Sequence, residues 1–456
     1  MIKRWINLIR IRLRDAAEAF ASGEIKAGIL QAIPFWVASF ITGCVAVGYT
    51  RLFGYAEDLL REALHWQRWS VFILAPLCFL LAWFIVNLLA PYARGSGIPQ
   101  VMAALELPSG AEHKVSALVS IRVLLTKVFS SFFMVLGGGA VGREGPTIQI
   151  AASVFRSVSR FVPASWPRLS EKSVILTGAA AGLAAAFNTP LGGIVFAIEE
   201  LARIHLNFFK TALFTAVIIA GLTAQAFIGP YLYLGYPDVK NLDGYIYAGV
   251  IATAIVSGIL GAMMCSIVLW LMRWKRSFTL SKSIMFIVVC ALITAASAYF
   301  VDENMLGSGK ELMNHVLFGS DKYVSWHTVL FRIAGPILSF NVGGAGGIFA
   351  PALSAGASVG SYFASLASLT GSNANIIILC GMVGFLTGVT RTPFTSAILV
   401  LEMTDRHSVI FHLMLAAMIA NVVALVVDRK SFYEQLKRGY IDSLASVKVP
   451  GQSSDS

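Results

Sequence analysis

The residue best placed to do chemistry is a glutamate set among glycines in an apolar part of the chain. Glu144 stands in the segment GREGP, residues 142–146. An ionisable side chain at membrane depth is costly, and such residues mark ion or proton pathways. Glycines let the backbone approach a ligand closely, and a proline suits the first turn of a helix. The segment therefore predicts a carboxylate held beside a small ion at a helix start.

Two further Gly-rich segments also end in proline, GSGIP at 95–99 and GGIFAP at 346–351. Each predicts a helix N-terminus, whose free N–H groups and partial positive charge bind anions without a full cation. Ser96 adds a hydroxyl donor in the first of these segments. One such segment alone would be read as a tight turn between packed helices. Three of them beside an intramembrane carboxylate favour an ion site.

Composition places these segments in a membrane. Of 456 residues, 57% are hydrophobic and only 13% are charged, and the mean hydropathy is +0.74. Repeated apolar runs of spanning length indicate a polytopic helical membrane protein. The net charge of +11 comes largely from basic residues crowded near the two ends, within 3–14 and 429–438. Basic flanks face the cytoplasm, so we expect both termini inside, a lipid bilayer as surroundings and no nucleic acid partner.

The order of apolar and polar segments predicts several units. Residues 1–27 read as an amphipathic helix on the inner membrane surface. The charged stretch 57–65 reads as a wet connection between the first two spans. Several later runs are too short, or too interrupted by Gly and Pro, to cross alone. Such interrupted segments indicate a transporter binding site at mid-membrane.

The chain also repeats itself. The pattern GGAxGxxxP at 138–146 returns at 343–351, and each copy is followed by Ala-Ser-Val. A second block, with Thr-Pro and a later glutamate, returns at nearly the same offset. We infer two homologous halves, 28–235 and 236–427, followed at 428–456 by a last helix and a short cytoplasmic tail. The repeat does not say whether the halves are parallel or inverted.

Two adjacent acids close an apolar helix, and the repeat distinguishes them. Glu199 has a counterpart in Glu402, whereas Met403 stands opposite Glu200. Both acids would also suit the wet end of a membrane span. Because the shared fold does not demand Glu200, we predict a structural role for Glu199 and consider proton handling for Glu200.

Other chemistries find little support in the sequence. The dinucleotide-like pattern GxGxxG at 137–142 lacks a βαβ context, and no ATP-binding phosphate loop is present. The five cysteines are scattered singly, and neither they nor the histidines show metal-ligand spacing, so no metal or cofactor is predicted. A membrane enzyme lacks a Ser/His/Asp or Cys/His set in the broken segments. A structural or signalling membrane protein leaves the three anion-ready helix starts unexplained.

Together the three proline-ended segments resemble the signature stretches of the CLC family of chloride channels and chloride/proton antiporters, in the family's order. The resemblance runs from about residue 28 to 440. It implies an all-α polytopic fold of two inverted repeats of tilted, partly discontinuous helices. It also implies a homodimer with one pore per subunit, acting as a transporter and not as an enzyme.

The resemblance assigns a role to each candidate site residue. Glu144 resembles the family's external gating and proton-exchanging glutamate, and Glu200 falls where antiporters carry an internal proton acceptor. Chloride would be bound by the hydroxyls of two residues and the backbone N–H groups of two others, which are Ser96, Tyr433, Ile348 and Phe349.

The implied activity is secondary active exchange of chloride for protons across the inner cell membrane; the alternative is a glutamate-gated passive chloride channel. Gln100 and Met102 replace acids that some bacterial members carry, which weakens the antiporter reading slightly. Ser96 disfavours the fluoride-specific branch. The short stretch after Tyr433 leads us to expect a prokaryotic-type member without regulatory C-terminal domains.

Overall fold

All regular secondary structure in the described part of the chain is helical. The computed structural model describes residues 24–108, 111–167, 170–201, 210–229, 232–240 and 242–446. The predicted amphipathic segment 1–27 lies outside the described residues apart from 24–27, which already belong to the first helix. Eight of the described helical segments are long and apolar enough to cross a membrane. The chain is therefore a multi-pass helical membrane protein, as predicted.

The helices fall into two sets along the chain. The first set is α1 (Glu24–Trp66), α2 (Val71–Leu89), α3 (Ile98–Glu106), α4 (Glu112–Leu118), α5 (Ile121–Leu136), α6 (Glu144–Arg160), α7 (Glu171–Phe187), α8 (Pro190–Phe196) and α9 (Lys210–Ile228). The second set is α10 (Ile246–Lys275), α11 (Leu280–Phe300), α12 (Lys310–Phe318), α13 (Trp326–Val342), α14 (Phe349–Leu366), α15 (Gly371–Thr390), α16 (Pro393–Thr404), α17 (Ile410–Val427) and α18 (Phe432–Ser446).

The helices that begin at the three proline-ended segments are not among the eight candidate membrane spans. Each proline falls within the first three residues of α3, α6 or α14, where its missing N–H removes no helical hydrogen bond. The nine residues of α3 extend only about 14 Å, about half of the ~30 Å hydrocarbon core. The predicted discontinuous helices are confirmed.

Equivalent helices of the two halves make reciprocal contacts. α6 packs against α7 as α14 packs against α15. The Glu199 carboxylate accepts hydrogen bonds from the start of α16, and the Glu402 carboxylate accepts them from the start of α8. Gly142 and Gly347, which occupy matching positions in the repeat, form an antiparallel backbone bridge. Reciprocal contacts of this kind are what a two-fold relation between the halves produces.

Side chains of helix α5 form hydrogen bonds with backbone groups at or next to two of the Gly-rich segments. The buried Lys127 ammonium donates to the Gly95 carbonyl at 2.9 Å. The Ser130 hydroxyl accepts from the Ala345 amide at 3.0 Å and donates to the Ala82 carbonyl at 2.9 Å. These side chains satisfy backbone groups that broken helices would otherwise leave unpaired in an apolar interior.

The charged stretch 57–65, predicted as a wet connection, is helical, and Asp58, Arg61 and Glu62 are exposed. This stretch continues α1, which runs without a break for 43 residues to Trp66. Arg61 pairs with Asp58 one turn earlier and with Glu311 of α12. Ion pairs at helical spacing allow a charged segment to remain helical beyond the bilayer.

Candidate ion-binding site

Backbone hydrogen bonds join the three Gly-rich segments into one cluster. The amide of Gly142 donates to the Gly347 carbonyl at 2.8 Å, and the Gly347 amide donates back at 2.7 Å. The Gly95 amide donates to the Gly344 carbonyl at 2.8 Å, while the Gly346 amide donates to the Gly95 carbonyl at 3.1 Å. The starts of α3, α6 and α14 consequently converge on one place inside the protein.

Glycine is required where these segments touch. A Cβ atom at Gly145 would overlap the Ser96 hydroxyl. A Cβ atom at Gly347 would lie 3.0 Å from the Gly142 carbonyl oxygen. Gly97 adopts φ +106°, a left-handed conformation that L side chains rarely adopt. The close approach of α3 to α6 therefore depends on residues without side chains.

Glu144 lies at the junction of two helix starts. Its side chain is buried, with 1% of the residue exposed. The Tyr233 hydroxyl donates to carboxylate Oε1 at 3.3 Å, and the backbone N–H groups of Glu144 and Ala350 face the carboxylate. The two backbone donors belong to the first turns of α6 and α14, so they stabilise a negative charge at this point.

A cationic side chain lies next to Tyr233, beyond the carboxylate. The Lys310 ammonium is 4.9 Å from the centre of the Tyr233 ring, at the beginning of the short helix α12. Burial lowers the pKa of Lys310, and the Arg143 cation lowers it further, whereas the carboxylates of Glu57 and Glu144 act in the opposite direction. Lys310 is thus electrostatically linked to the Glu144 site.

Two buried hydroxyls adjoin the cluster. The hydroxyls of Ser96 and Tyr433 are close enough to interact, yet neither oxygen makes a hydrogen bond of normal geometry within the described residues. The Phe349 ring stacks on the Tyr433 ring, with centroids 6.3 Å apart and planes inclined by 15°. Ile348 and Phe349, both buried, form the start of α14. Buried hydroxyls whose hydrogen-bonding capacity the protein does not fully use are suited to a ligand.

The second predicted proton carrier lines a cavity of its own. Glu200 belongs to a π-helical turn, Ala197–Leu201, and is half-buried. It lines a cavity of about 250 Å³ together with six neighbours, which are Met102, Leu105, Glu106, Lys172, Leu201 and Lys437. Tyr433 is within electrostatic range of both Glu200 and Glu144. Tyr433 is therefore electrostatically coupled to both carboxylates.

Glu199 has the structural role expected from the repeat. Its carboxylate accepts hydrogen bonds from the backbone amides of Phe394 and Thr395 at 3.2 and 2.7 Å, which caps α16. Gln100 also has a structural role, because its amide nitrogen donates to the Arg94 carbonyl at 2.6 Å and to the Tyr440 hydroxyl at 3.1 Å.

Four residues near the site belong to none of the sequence motifs. Tyr233 stands in a non-helical connection without any motif. Lys127 is a lone cation in a spanning helix, a signal that marks functional or structural importance at membrane depth. The pair of Glu106 and Lys437 joins residues separated by most of the chain.

Solved structures share this fold. A slow cyanobacterial Cl⁻/H⁺ antiporter superposes with a TM-score of 0.77 at 23% identity, covering 91% of this chain and 98% of that one. A CLC-type fluoride/proton antiporter gives 0.72 at 18% identity, with 88% and 96% covered. A eukaryotic CLC transporter gives 0.71 at 21% identity, with 90% of this chain and 74% of that one covered. The CLC-type fold predicted from the sequence is confirmed.

Curated relatives and a family model agree with the fold. The H(+)/Cl(−) exchange transporters ClcA of Salmonella paratyphi B and Salmonella newport are each 29% identical over 458 residues, covering 94% of this chain and 92% of theirs. These relatives are transporters. The model described as voltage gated chloride channel matches residues 78–425, which is most of the chain. The chain therefore belongs to the voltage-gated chloride channel family.

Proposed function

We propose that the protein is a secondary active antiporter that exchanges chloride for protons across a membrane. The observation that carries the proposal is the Glu144 carboxylate, buried where the starts of α6 and α14 meet. Donors that face a carboxylate there can equally face a chloride ion, since both are monovalent anions. The names of the ClcA relatives support the same activity.

Competition between carboxylate and chloride links the two ions. An ionised Glu144 occupies the helix-start donors and keeps chloride out. Protonation cancels its charge, so the side chain releases those donors to chloride. Ser96 and Tyr433 offer hydroxyl donors and Ile348 and Phe349 offer backbone N–H groups to a chloride further along the path. Each protonation of Glu144 is thereby coupled to a change in chloride occupancy.

Glu200 supplies the second end of the proton path. It lines a cavity, from which it can take protons from the cytoplasmic solution, and Tyr433 is within electrostatic range of both Glu200 and Glu144. No titratable chain links the two carboxylates in sequence, so water carries the proton between them transiently. A carboxylate in this position favours exchange over a passive chloride channel.

The assembly follows from family membership and charge. We expect a homodimer with one pore per subunit, in the inner cell membrane, with both termini in the cytoplasm. Residues 28–235 and 236–427 form the two inverted halves. α9 and α17 present exposed apolar side chains, including Leu222 and Val422, to lipid or to a second subunit.

Reconstitution tests the activity. Protein in liposomes with a chloride gradient is expected to move protons against their own gradient, which a pH electrode outside the liposomes records together with chloride efflux. Chloride flux without proton movement would identify the passive channel instead. No chloride flux from correctly folded protein would refute both assignments.

A further inference from the structure

Two adjoining cavities lie beside the last helix, α18. They measure about 180 and 130 Å³ and share four lining residues, including Arg94 and Arg276. Lys275 also lines the larger cavity and Arg273 the smaller one. Among their described lining residues there is no carboxylate. Cations gathered from separate elements without an acid among them favour an anionic ligand with several oxygen atoms.

The cations at these cavities are held in place by their neighbours. The Lys275 ammonium donates to the carbonyls of Asn341 and Val342 at 2.8 and 3.2 Å and lies 5.2 Å from the centre of the Phe286 ring. The Arg94 guanidinium carbon lies 5.6 Å from the centre of the Tyr440 ring. Preorganised cations of this kind lose less conformational entropy when they bind.

Aromatic side chains place the cavities at the level of lipid headgroups. Trp270 and Trp274 are 58% and 51% exposed on one face of α10, and their rings stack 6.3 Å apart. Trp274 also packs edge-on against Phe278 and Phe286. Exposed tryptophans at the end of a spanning helix are typical of the interface between hydrocarbon and water. The basic cavities therefore open beside a lipid surface.

We propose that these cavities form a phosphate-binding site whose ligand is the headgroup of an anionic membrane phospholipid. Guanidinium groups bind phosphate oxygens in pairs, and basic pockets between spanning helices at the cytoplasmic face accept lipid headgroups. The acyl chains of such a lipid lie along the exposed faces of Trp270 and Trp274. The cavities hold only the phosphate end of the molecule.

A lipid phosphate in this site would contact residues next to three elements of the ion path. Arg94 directly precedes Gly95 and Ser96, and Lys275 holds the carbonyls at the end of α13, just before the segment that leads to α14. Tyr440 belongs to α18, which also carries Tyr433. We therefore expect bound lipid to keep Ser96 and Tyr433 together. This consequence for transport rests on the proposed function, whereas binding itself does not.

Charge removal with a matched control tests binding directly. The purified protein is titrated in detergent with phosphatidylglycerol, phosphatidylcholine or inorganic phosphate, and bound lipid is counted by native mass spectrometry. The test variant is Arg273→Gln with Arg276→Gln. The control is Arg429→Gln with Lys430→Gln, which removes two exposed charges close to the start of α18 but outside both cavities. Each protein is also assayed for chloride flux in liposomes with and without phosphatidylglycerol.

The expected result is preferential binding of phosphatidylglycerol that weakens roughly tenfold or more in the test variant, since each basic residue contributes about 1 kcal/mol. The control should bind like wild type. Competition by inorganic phosphate alone would keep the phosphate site but assign it to a soluble anion. Equal losses in test and control variants would overturn the site. The site would also be overturned if the test variant bound lipid like wild type but had the same flux defect in both membranes. The cations would then act on chloride and not on lipid.

Discussion

Glu144 is the residue on which the coupling of chloride and protons depends. Replacing Glu144 by Gln removes the titratable proton and leaves a neutral side chain of similar shape. We expect Glu144→Gln to carry chloride without moving protons and to lose any acceleration of flux at low pH. Chloride efflux and external pH, recorded together on proteoliposomes, test this. Uphill proton movement by the variant would contradict the role given to Glu144.

Tyr233 should tune the pH at which that gate opens. Its hydroxyl donates to the Glu144 carboxylate at 3.3 Å and so favours the charged, blocking form. Tyr233→Phe removes this donor, and protonation then requires less acid. A hydrogen bond of normal length to a charged group contributes about 1.5 kcal/mol, which corresponds to about one pH unit. Because this contact is longer, the pH of half-maximal flux should rise by roughly one unit at most.

A pH series of chloride flux measures that shift. Tyr323→Phe is the matched control, since Tyr323 donates to the Leu369 carbonyl in an exposed connection. A downward shift with Tyr233→Phe, or the same shift in both variants, would show that the hydroxyl does not act on the gate.

The adjacent glutamates should separate in function. Glu200→Gln keeps the shape of the side chain but no longer accepts a proton, so chloride flux should persist while proton movement stops. Glu199→Gln weakens the cap of α16, which costs about 1 kcal/mol of stability, and should leave coupling intact. Proton movement and thermal stability measured on both variants give the comparison. A fully coupled Glu200→Gln variant would place the inner proton acceptor elsewhere.

Among elements, the contact between α3 and α6 depends most strongly on a single glycine. A methyl group at Gly145 would overlap the Ser96 hydroxyl and force that donor away from the path. We expect Gly145→Ala to weaken chloride binding by roughly tenfold, the loss of about one hydrogen bond to an anion. Isothermal titration calorimetry with chloride measures this.

Gly48→Ala is the control for the glycine substitution. Gly48 lies inside α1, and outside its own turns of the helix no atom is within 4 Å of the position that its Cβ would occupy. Alanine there should preserve chloride binding and stabilise the helix by up to about 1 kcal/mol. If Gly145→Ala bound chloride as tightly as Gly48→Ala, the steric contact with Ser96 would not matter for the site.

For the whole molecule, charge distribution predicts orientation. The connection after α11 carries acids such as Glu303, whereas the residues before α18 carry Arg429 and Lys430. The rule that basic residues stay inside places the latter in the cytoplasm. With Glu303→Cys, a membrane-impermeant maleimide should label intact cells, and with Lys430→Cys it should label only after permeabilisation. Wild-type labelling gives the background, and the opposite pattern would invert the proposed topology.

Local patterns in the sequence determined much of this protein. The proline-ended segments, the repeat and the buried glutamate each depend on residues close together in the chain. They sufficed to predict an all-helical membrane fold and its broken helices. They also predicted that three segments come together, which contain Ser96, Glu144, Ile348 and Phe349. Helix starts are encoded locally, because Gly and Pro act on their own backbone.

Only the tertiary structure decided which distant groups surround those segments. The Tyr233 hydroxyl donates to Glu144, which is 89 positions away in the sequence, and Lys127 donates to the Gly95 carbonyl. The charged helical stretch 57–65 pairs with α12 through Arg61. The basic cavities likewise assemble from α10, α18 and the segment before α3. Such contacts depend on how helices pack, and side-chain periodicity along one helix carries no information about which partner residue it meets.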